Sequence, residues 1–180
     1  MEHCSGNIEK ILVSPEEIEK RVRELGQEIT EAYQGKKLVI ACILRGSLVF
    51  TADLIRHIDR PLILDTMVIS SYGASAKSSG VVKINKDLET DIDGKHVLIV
   101  EDIVDTGLTI NYLMKLLGAR NPASVKVCSF LDKPSRREME ATIDFTGFVI
   151  PDEFVIGYGL DFIQEYRNYP AVAVLKPDVY

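Results

Sequence analysis

Residues 97–110 read Val97-Leu98-Ile99-Val100-Glu101-Asp102-Ile103-Val104-Asp105-Thr106-Gly107-Leu108-Thr109-Ile110, and their order decides the fold. Four consecutive apolar residues, three of them β-branched, predict a strand over 97–100 that is buried on both faces, as in a parallel sheet. The chain then turns acidic at Glu101 and Asp102, where that strand is expected to end. A short turn follows through Asp105, Thr106, Gly107, Leu108 and Thr109, and an apolar helical pattern runs over 110–117. A strand, a hydroxyl-bearing glycine turn and a helix start together form an anion cradle. The free N–H groups and the positive end of the helix dipole point at one place, and phosphate suits it.

Three carboxylates beside a phosphate would repel it unless the ligand also carries hydroxyls or a metal. A sugar phosphate supplies both, because adjacent acids at a strand end can accept hydrogen bonds from neighbouring ribose hydroxyls or face a hard divalent cation. A generic capped β–α connection with Thr106 as N-cap would need no such trio. The pattern resembles the signature of type I phosphoribosyltransferases. By that resemblance Glu101 and Asp102 meet the ribose of phosphoribosyl pyrophosphate and face Mg2+, and the turn formed by Asp105, Thr106, Gly107, Leu108 and Thr109 holds its 5-phosphate. Asp105 is then the candidate general base near purine N7.

The 180 residues fit one domain able to bury a core without staples. Hydrophobic residues at 46% and charged residues at 27% exclude a disordered chain and match a soluble enzyme. No apolar run reaches membrane-spanning length, and the acidic start lacks the layout of a secretory signal, so a cytoplasmic location is expected. A net charge of −6 without any long Lys/Arg block speaks against a nucleic-acid surface. Cys4, Cys42 and Cys128 have no metal-like spacing and are expected to be reduced.

Working outward toward the N-terminus, a strand is predicted over 8–13. A helix is then predicted from Ser14, with Pro15 in the first turn, a capping box to Glu17 and a stop near Gly35. A second buried strand over 38–44 runs into Arg45-Gly46-Ser47 and a helical pattern over 48–58. This repeats the strand, polar turn and helix start, and so predicts a second anion site on the same sheet edge. By the resemblance Arg45 and Gly46 bind pyrophosphate, and the Leu44–Arg45 peptide is a candidate cis bond.

A strand is predicted over 62–70, with a return strand near Ile84. The small, polar stretch 71–80 between them, beginning Ser71-Tyr72, resembles the family's lid, which excludes water from a developing oxocarbenium ion. A strand over 124–131 ends at Asp132-Lys133. Lys133 matches the family lysine that donates to a purine 6-oxo group, whereas Arg136 and Arg137 read as solvated charges.

The stretch 154–170 resembles the purine hood of the hypoxanthine-guanine branch of that family. By that resemblance Phe154 stacks on the base, and Val155 offers backbone groups to its edge. Asp161 reaches a metal or the exocyclic edge, and Arg167 reaches pyrophosphate. A closing strand is predicted over 171–175.

The resulting expectation is an α/β protein of the type I phosphoribosyltransferase fold. A central, mainly parallel sheet is flanked by helices, under a small hood built from the N-terminal segment and the C-terminal third, with residues 1–180 forming one domain. The resemblance implies Mg-dependent transfer from phosphoribosyl pyrophosphate to N9 of hypoxanthine or guanine, giving IMP or GMP and pyrophosphate, in a homodimer or homotetramer. Leu108 and Arg45 stand where other members carry lysine. Two alternatives stay open: a regulatory nucleotide-binding protein on the same fold that binds RNA or a transcription partner, and a related transferase acting on xanthine, adenine or orotate.

Overall fold

The computed structural model describes residues 6–71 and 82–179. The chain opens with β1 (Ile8–Val13) and α1 (Pro15–Ala32). At the start of α1 the Ser14 side chain accepts from the Glu17 N–H while the Glu17 carboxylate accepts from the Ser14 N–H at 2.8 Å. This reciprocal box satisfies two donors that the helix cannot. Next come β2 (Leu38–Leu44), α2 (Leu48–Ile55), β3 (Leu62–Ser71) and β4 (Val82–Lys86). They are followed by β5 (His96–Val104), α3 (Leu108–Gly118) and β6 (Ser124–Asp132). A 3₁₀ turn at Pro134–Arg136, then β7 (Phe145–Val149), β8 (Val155–Ile156) and β9 (Val172–Leu175), complete the described chain.

Six strands form one sheet in the order β4-β3-β2-β5-β6-β7. Its pairs are parallel except the antiparallel β3–β4 hairpin. Because β2 is followed outward by β3 while β5 is followed in the other direction by β6 and β7, the winding reverses between β2 and β5. In open α/β sheets ligands bind at that reversal, beyond the carboxyl ends of the strands.

Side chains on successive strand residues point to opposite faces, and here both faces are covered. Leu38 and Ile40 of β2 join Leu98 and Val100 of β5 under α1 and α2, packed on Leu25, Ile29, Phe50 and Leu54. Val39, Ala41 and Ile43 join Val97 and Ile99 under α3, against Ile110, Leu113 and Leu117. Double burial explains why the central strands are apolar at nearly every position. A second sheet of three antiparallel strands, β1-β9-β8, forms the hood. Val155, Tyr158 and Val172 tie it to the α1 face of the large sheet.

The structure departs furthest from the sequence expectation at β5, α2 and β7. Strand β5 does not stop at Val100 but runs on to Val104. Its last partner in β2 is Cys42 opposite Val100, yet it stays paired with β6 through Val104 opposite Asp132, so the acids sit on ladder rather than in a loop. Helix α2 ends at Ile55, three residues before Ile58, because the chain tightens there: the Arg56 and His57 N–H groups bond back three residues, to Asp53 and Leu54. Strand β7 was not expected at all. The stretch 71–80 read as a lid falls outside the described residues except for Ser71, which ends β3; Tyr72 and Cys4 are likewise outside. Cys42 and Cys128 are buried and free, as expected.

Candidate active site

The site lies at the β2/β5 reversal. Past Val100 the extended end of β5 has no β2 partner, and the turn 45–47 after β2 occupies the gap. In that turn the Leu44–Arg45 peptide is cis. The Ser47 hydroxyl donates back to the Ile43 carbonyl at 2.6 Å, and the Leu48 N–H bonds to the Arg45 carbonyl at 3.1 Å. Gly46 then lies against Asp102, so closely that any Cβ at 46 would coincide with the carboxylate, and the Gly46 carbonyl faces Gly159 of the hood. Only glycine permits this approach.

Glu101 is buried and Asp102 is half-buried. Burial and the neighbouring Asp102 push the Glu101 carboxyl well up from the ordinary range, and its Oε2 has no hydrogen-bond partner among the described residues. Burial raises Asp102 to about 6, although the Ile103 N–H and the Arg167 guanidinium pull it down. Two carboxyls deprived of water in this way favour a ligand that brings hydroxyl donors or positive charge.

Asp105, Thr106 and Gly107 bend away from β5 into α3. Gly107 takes the left-handed conformation with φ +86 at the N-cap, and its Cα faces the Met139 carbonyl and the Arg137 side chain, where a Cβ would not fit. A small crevice bounded by Glu101, Asp105, Thr106, Gly107 and Thr109 opens over this helix start. Leu108 begins the helix and brings no charge. A larger cavity of about 470 Å³ lies between α1, α2 and Tyr158; it contains none of the expected site residues.

Arg137 is not the solvated charge that the sequence suggested, whereas Arg136 is exposed as expected. The Arg137 guanidinium donates to the Asp105 carbonyl at 2.6 Å and also pairs with Asp132. The N–H groups of Glu138 and Met139 both donate to the Thr106 carbonyl at 3.0 Å, so the segment after the 3₁₀ turn braces the turn 105–109. Arg136 Nε sits 3.3 Å from Asp105 Oδ1, without hydrogen-bond alignment, and its Nη1 lies 3.7 Å from Asp152 Oδ1. Both ends are partly exposed, so the contact is weak and easily exchanged.

Lys133 is tied to the same place through its N–H, which donates to the Val104 carbonyl at 3.0 Å. Its side chain is only 6% exposed, and Nζ lies 3.8 Å from Asp152 Oδ1, beyond hydrogen-bond length. Phe154, 46% exposed, meets Phe162 edge-on at 5.9 Å between ring centres. Val155 is buried in β8 opposite Val174. In the hood Arg167 pairs with Asp161 at 2.7 Å and donates to the Gly159 carbonyl. Arg45 joins it through Gln164, a residue that sequence reasoning passed over.

Two strand-to-helix turns, two adjacent acids and a recessed lysine thus gather at the carboxyl ends of β2, β5 and β6. The profile of the phosphoribosyl transferase domain matches residues 10–163. The chain is 52% identical over 174 residues to the hypoxanthine-guanine phosphoribosyltransferase of Bacillus subtilis, covering 97% of each protein. The chain belongs to the hypoxanthine-guanine phosphoribosyltransferase family. The Lactococcus lactis member is 52% identical over 96% of this chain and 94% of its own. The crystal structure of a hypoxanthine phosphoribosyltransferase from Staphylococcus aureus superposes with a TM-score of 0.95 at 44% identity, over 98% of this chain and 96% of that one. The protein is therefore a pentosyltransferase on the type I phosphoribosyltransferase fold.

Proposed function

We propose that the chain transfers the 5-phosphoribosyl group from phosphoribosyl pyrophosphate to N9 of hypoxanthine or guanine, releasing pyrophosphate and forming IMP or GMP, with Mg2+ required. The observation that supports this reading is that buried Glu101 lines a crevice with the turn 105–109 while Asp102 lies against Gly46 and feels the Arg167 guanidinium, which Gln164 links to Arg45. A ribose flanked by a 5-phosphate and a 1-pyrophosphate has that same sequence of charges and hydroxyls.

In this reading the turn 105–109 holds the 5-phosphate, and Glu101 and Asp102 accept hydrogen bonds from the ribose hydroxyls. Arg45, the Gly46 turn and Arg167 hold pyrophosphate. Lys133 donates to the purine 6-oxo oxygen, which favours a 6-oxopurine over adenine because an amino group at that place would itself be a donor. Phe154 stacks on the ring, worth about 1–3 kcal/mol, with Val155 at the base edge. Asp105 accepts the proton at N7, exchanging its weak contact with Arg136 for the substrate. As pyrophosphate leaves, positive charge grows on the ribose carbon, and the nearby carboxylates stabilise it.

The donor set fits a hard divalent cation: Glu101 Oε2 is buried without a partner among the described residues, and Asp161 is near enough to Asp102 to raise its carboxyl. No three ligating side chains converge among the described residues, and magnesium commonly takes one or two carboxylates with substrate phosphates rather than a full protein cage. When bound, magnesium offsets the charge of the leaving group.

We read residues 1–180 as one domain, because a single buried cluster joins α1, the large sheet and the hood. No helix among the described residues is long and apolar enough to cross a membrane, and a cytoplasmic homo-oligomer is the proposed state. Titration calorimetry of phosphoribosyl pyrophosphate with magnesium tests the site directly. Binding is expected for the parent chain and is expected to be lost in Glu101→Gln/Asp102→Asn; equal binding by that variant would move the ribose elsewhere.

A further inference from the structure

We infer that Gln164 is a positioning residue that gathers the two pyrophosphate cations before substrate arrives; the inference rests on the pyrophosphate roles proposed for Arg45 and Arg167. One atom makes the link. Gln164 Oε1 accepts from Arg45 Nη1 at 2.9 Å and from Arg167 Nη2 at 3.1 Å. The two arginines come from opposite parts of the chain, one from the turn after β2 and one from the hood. Left alone, like charges on flexible stems move apart. A shared neutral acceptor holds them together without placing a second carboxylate beside the Asp161 that already pairs with Arg167, so Arg45 keeps its charge for the leaving group.

The backbone around Gln164 is shaped for this contact. Ile163, Gln164 and Tyr166 all have positive φ, at 50°, 68° and 69°, a region that a β-branched residue such as Ile163 rarely enters. Burial of Ile163 does not account for it, since that side chain is 77% exposed. The loop is pinned instead by its polar contacts. The Gln164 N–H donates to Asp161 Oδ2 at 2.9 Å, Phe162 and Glu165 exchange backbone bonds, and Arg167 reaches back to the Gly159 carbonyl. Together these fix the Gln164 amide between the guanidinium groups. Strained backbone held by surrounding contacts is a recurrent mark of ligand clamps.

Gathering charge in advance lowers the ordering cost of binding, so the effect belongs in affinity for pyrophosphate-bearing ligands and not in affinity for the base. The test compares Gln164→Met, which keeps the size and removes the acceptor, with Gln164→Glu, which keeps an oxygen, and with Arg45→Ala and Arg167→Ala. Pyrophosphate binding in the presence of magnesium is read by calorimetry, and KM for each substrate by steady-state kinetics. Gln164→Met is expected to weaken pyrophosphate about 5- to 10-fold and to raise KM for phosphoribosyl pyrophosphate similarly, with KM for the base and the melting temperature unchanged. Gln164→Glu is expected to fall between that variant and the parent. If Gln164→Met binds pyrophosphate like the parent while both arginine variants weaken it, the inference is overturned and the seat stands. A matched rise in KM for the base also overturns it, as the mark of a merely structural role. Should both arginine variants leave pyrophosphate binding intact, the seat itself is misplaced and the inference falls with it.

Discussion

Gly46 lies flush against the Asp102 carboxylate, with no room for a single added carbon between them. The contact joins the turn after β2 to the overhanging end of β5, so the turn proposed to hold pyrophosphate and the acids proposed to hold ribose share one surface. Gly46→Ala is expected to push Asp102 out of place and lower kcat/KM on the order of 10²-fold, with the fold intact by circular dichroism. A Gly46→Ala enzyme with parental kinetics would mean that the contact has no part in the site.

Asp105 differs from Glu101 and Asp102 in its place on the turn rather than in the strand. Asp105→Asn keeps the backbone groups that cradle phosphate and removes the proton acceptor. Turnover is expected to fall by about 10²- to 10⁴-fold, while calorimetry shows phosphoribosyl pyrophosphate still bound. Unchanged turnover would take the base role away from Asp105.

Lys133 presents a recessed ammonium at the end of β6. Lys133→Ala is expected to raise KM for a 6-oxopurine about 10- to 100-fold, the loss of one hydrogen bond from a charged donor, with pyrophosphate affinity nearly unchanged. Equal losses for both ligands would show that the lysine serves the whole site and does not read the base.

Far from the chemistry, Asp65 anchors the β3–β4 hairpin. Burial alone would raise its carboxyl, but the backbone N–H groups of Thr90, Thr66 and Glu89 outweigh it and bring it to about 2. Lys86 adds an ion pair at 3.6 Å. A carboxyl depressed in the folded state contributes stability above its unfolded value near 4, and that stability is lost as pH falls toward 2. Denaturant titrations should therefore show about 2 kcal/mol lost between pH 5 and pH 2 through this group. Asp65→Asn is expected to be less stable at pH 7 and to show a flatter acid limb; an unaltered limb would assign acid sensitivity to other carboxyls.

Much of this was legible from residue order. Apolar runs at 38–44 and 97–100 announce strands covered on both faces, and Ser14, Pro15 and Glu17 announce a helix start through chemistry confined to four residues. The turn at 105–109 is readable because its glycine, hydroxyls and acids are contiguous. What escaped depends on partners distant in the chain. Glu101 and Asp102 stay in a strand only because β6 continues beside them, and Phe145–Val149, broken by a threonine and a glycine, becomes a strand by pairing with β6. Arg137 looks like a surface charge until the fold brings the Asp105 carbonyl to it. Gln164 has no local signal whatever, since its role lies in two arginines supplied by different elements.

The central claim is the reaction itself. The purified protein should be mixed with phosphoribosyl pyrophosphate and magnesium and offered hypoxanthine, guanine, xanthine and adenine separately, with nucleotide formation followed by ultraviolet absorbance. Rapid turnover of hypoxanthine and guanine, with adenine inert, is the predicted result. Turnover of adenine in preference to the 6-oxopurines, or of no base while phosphoribosyl pyrophosphate still binds, would contradict it.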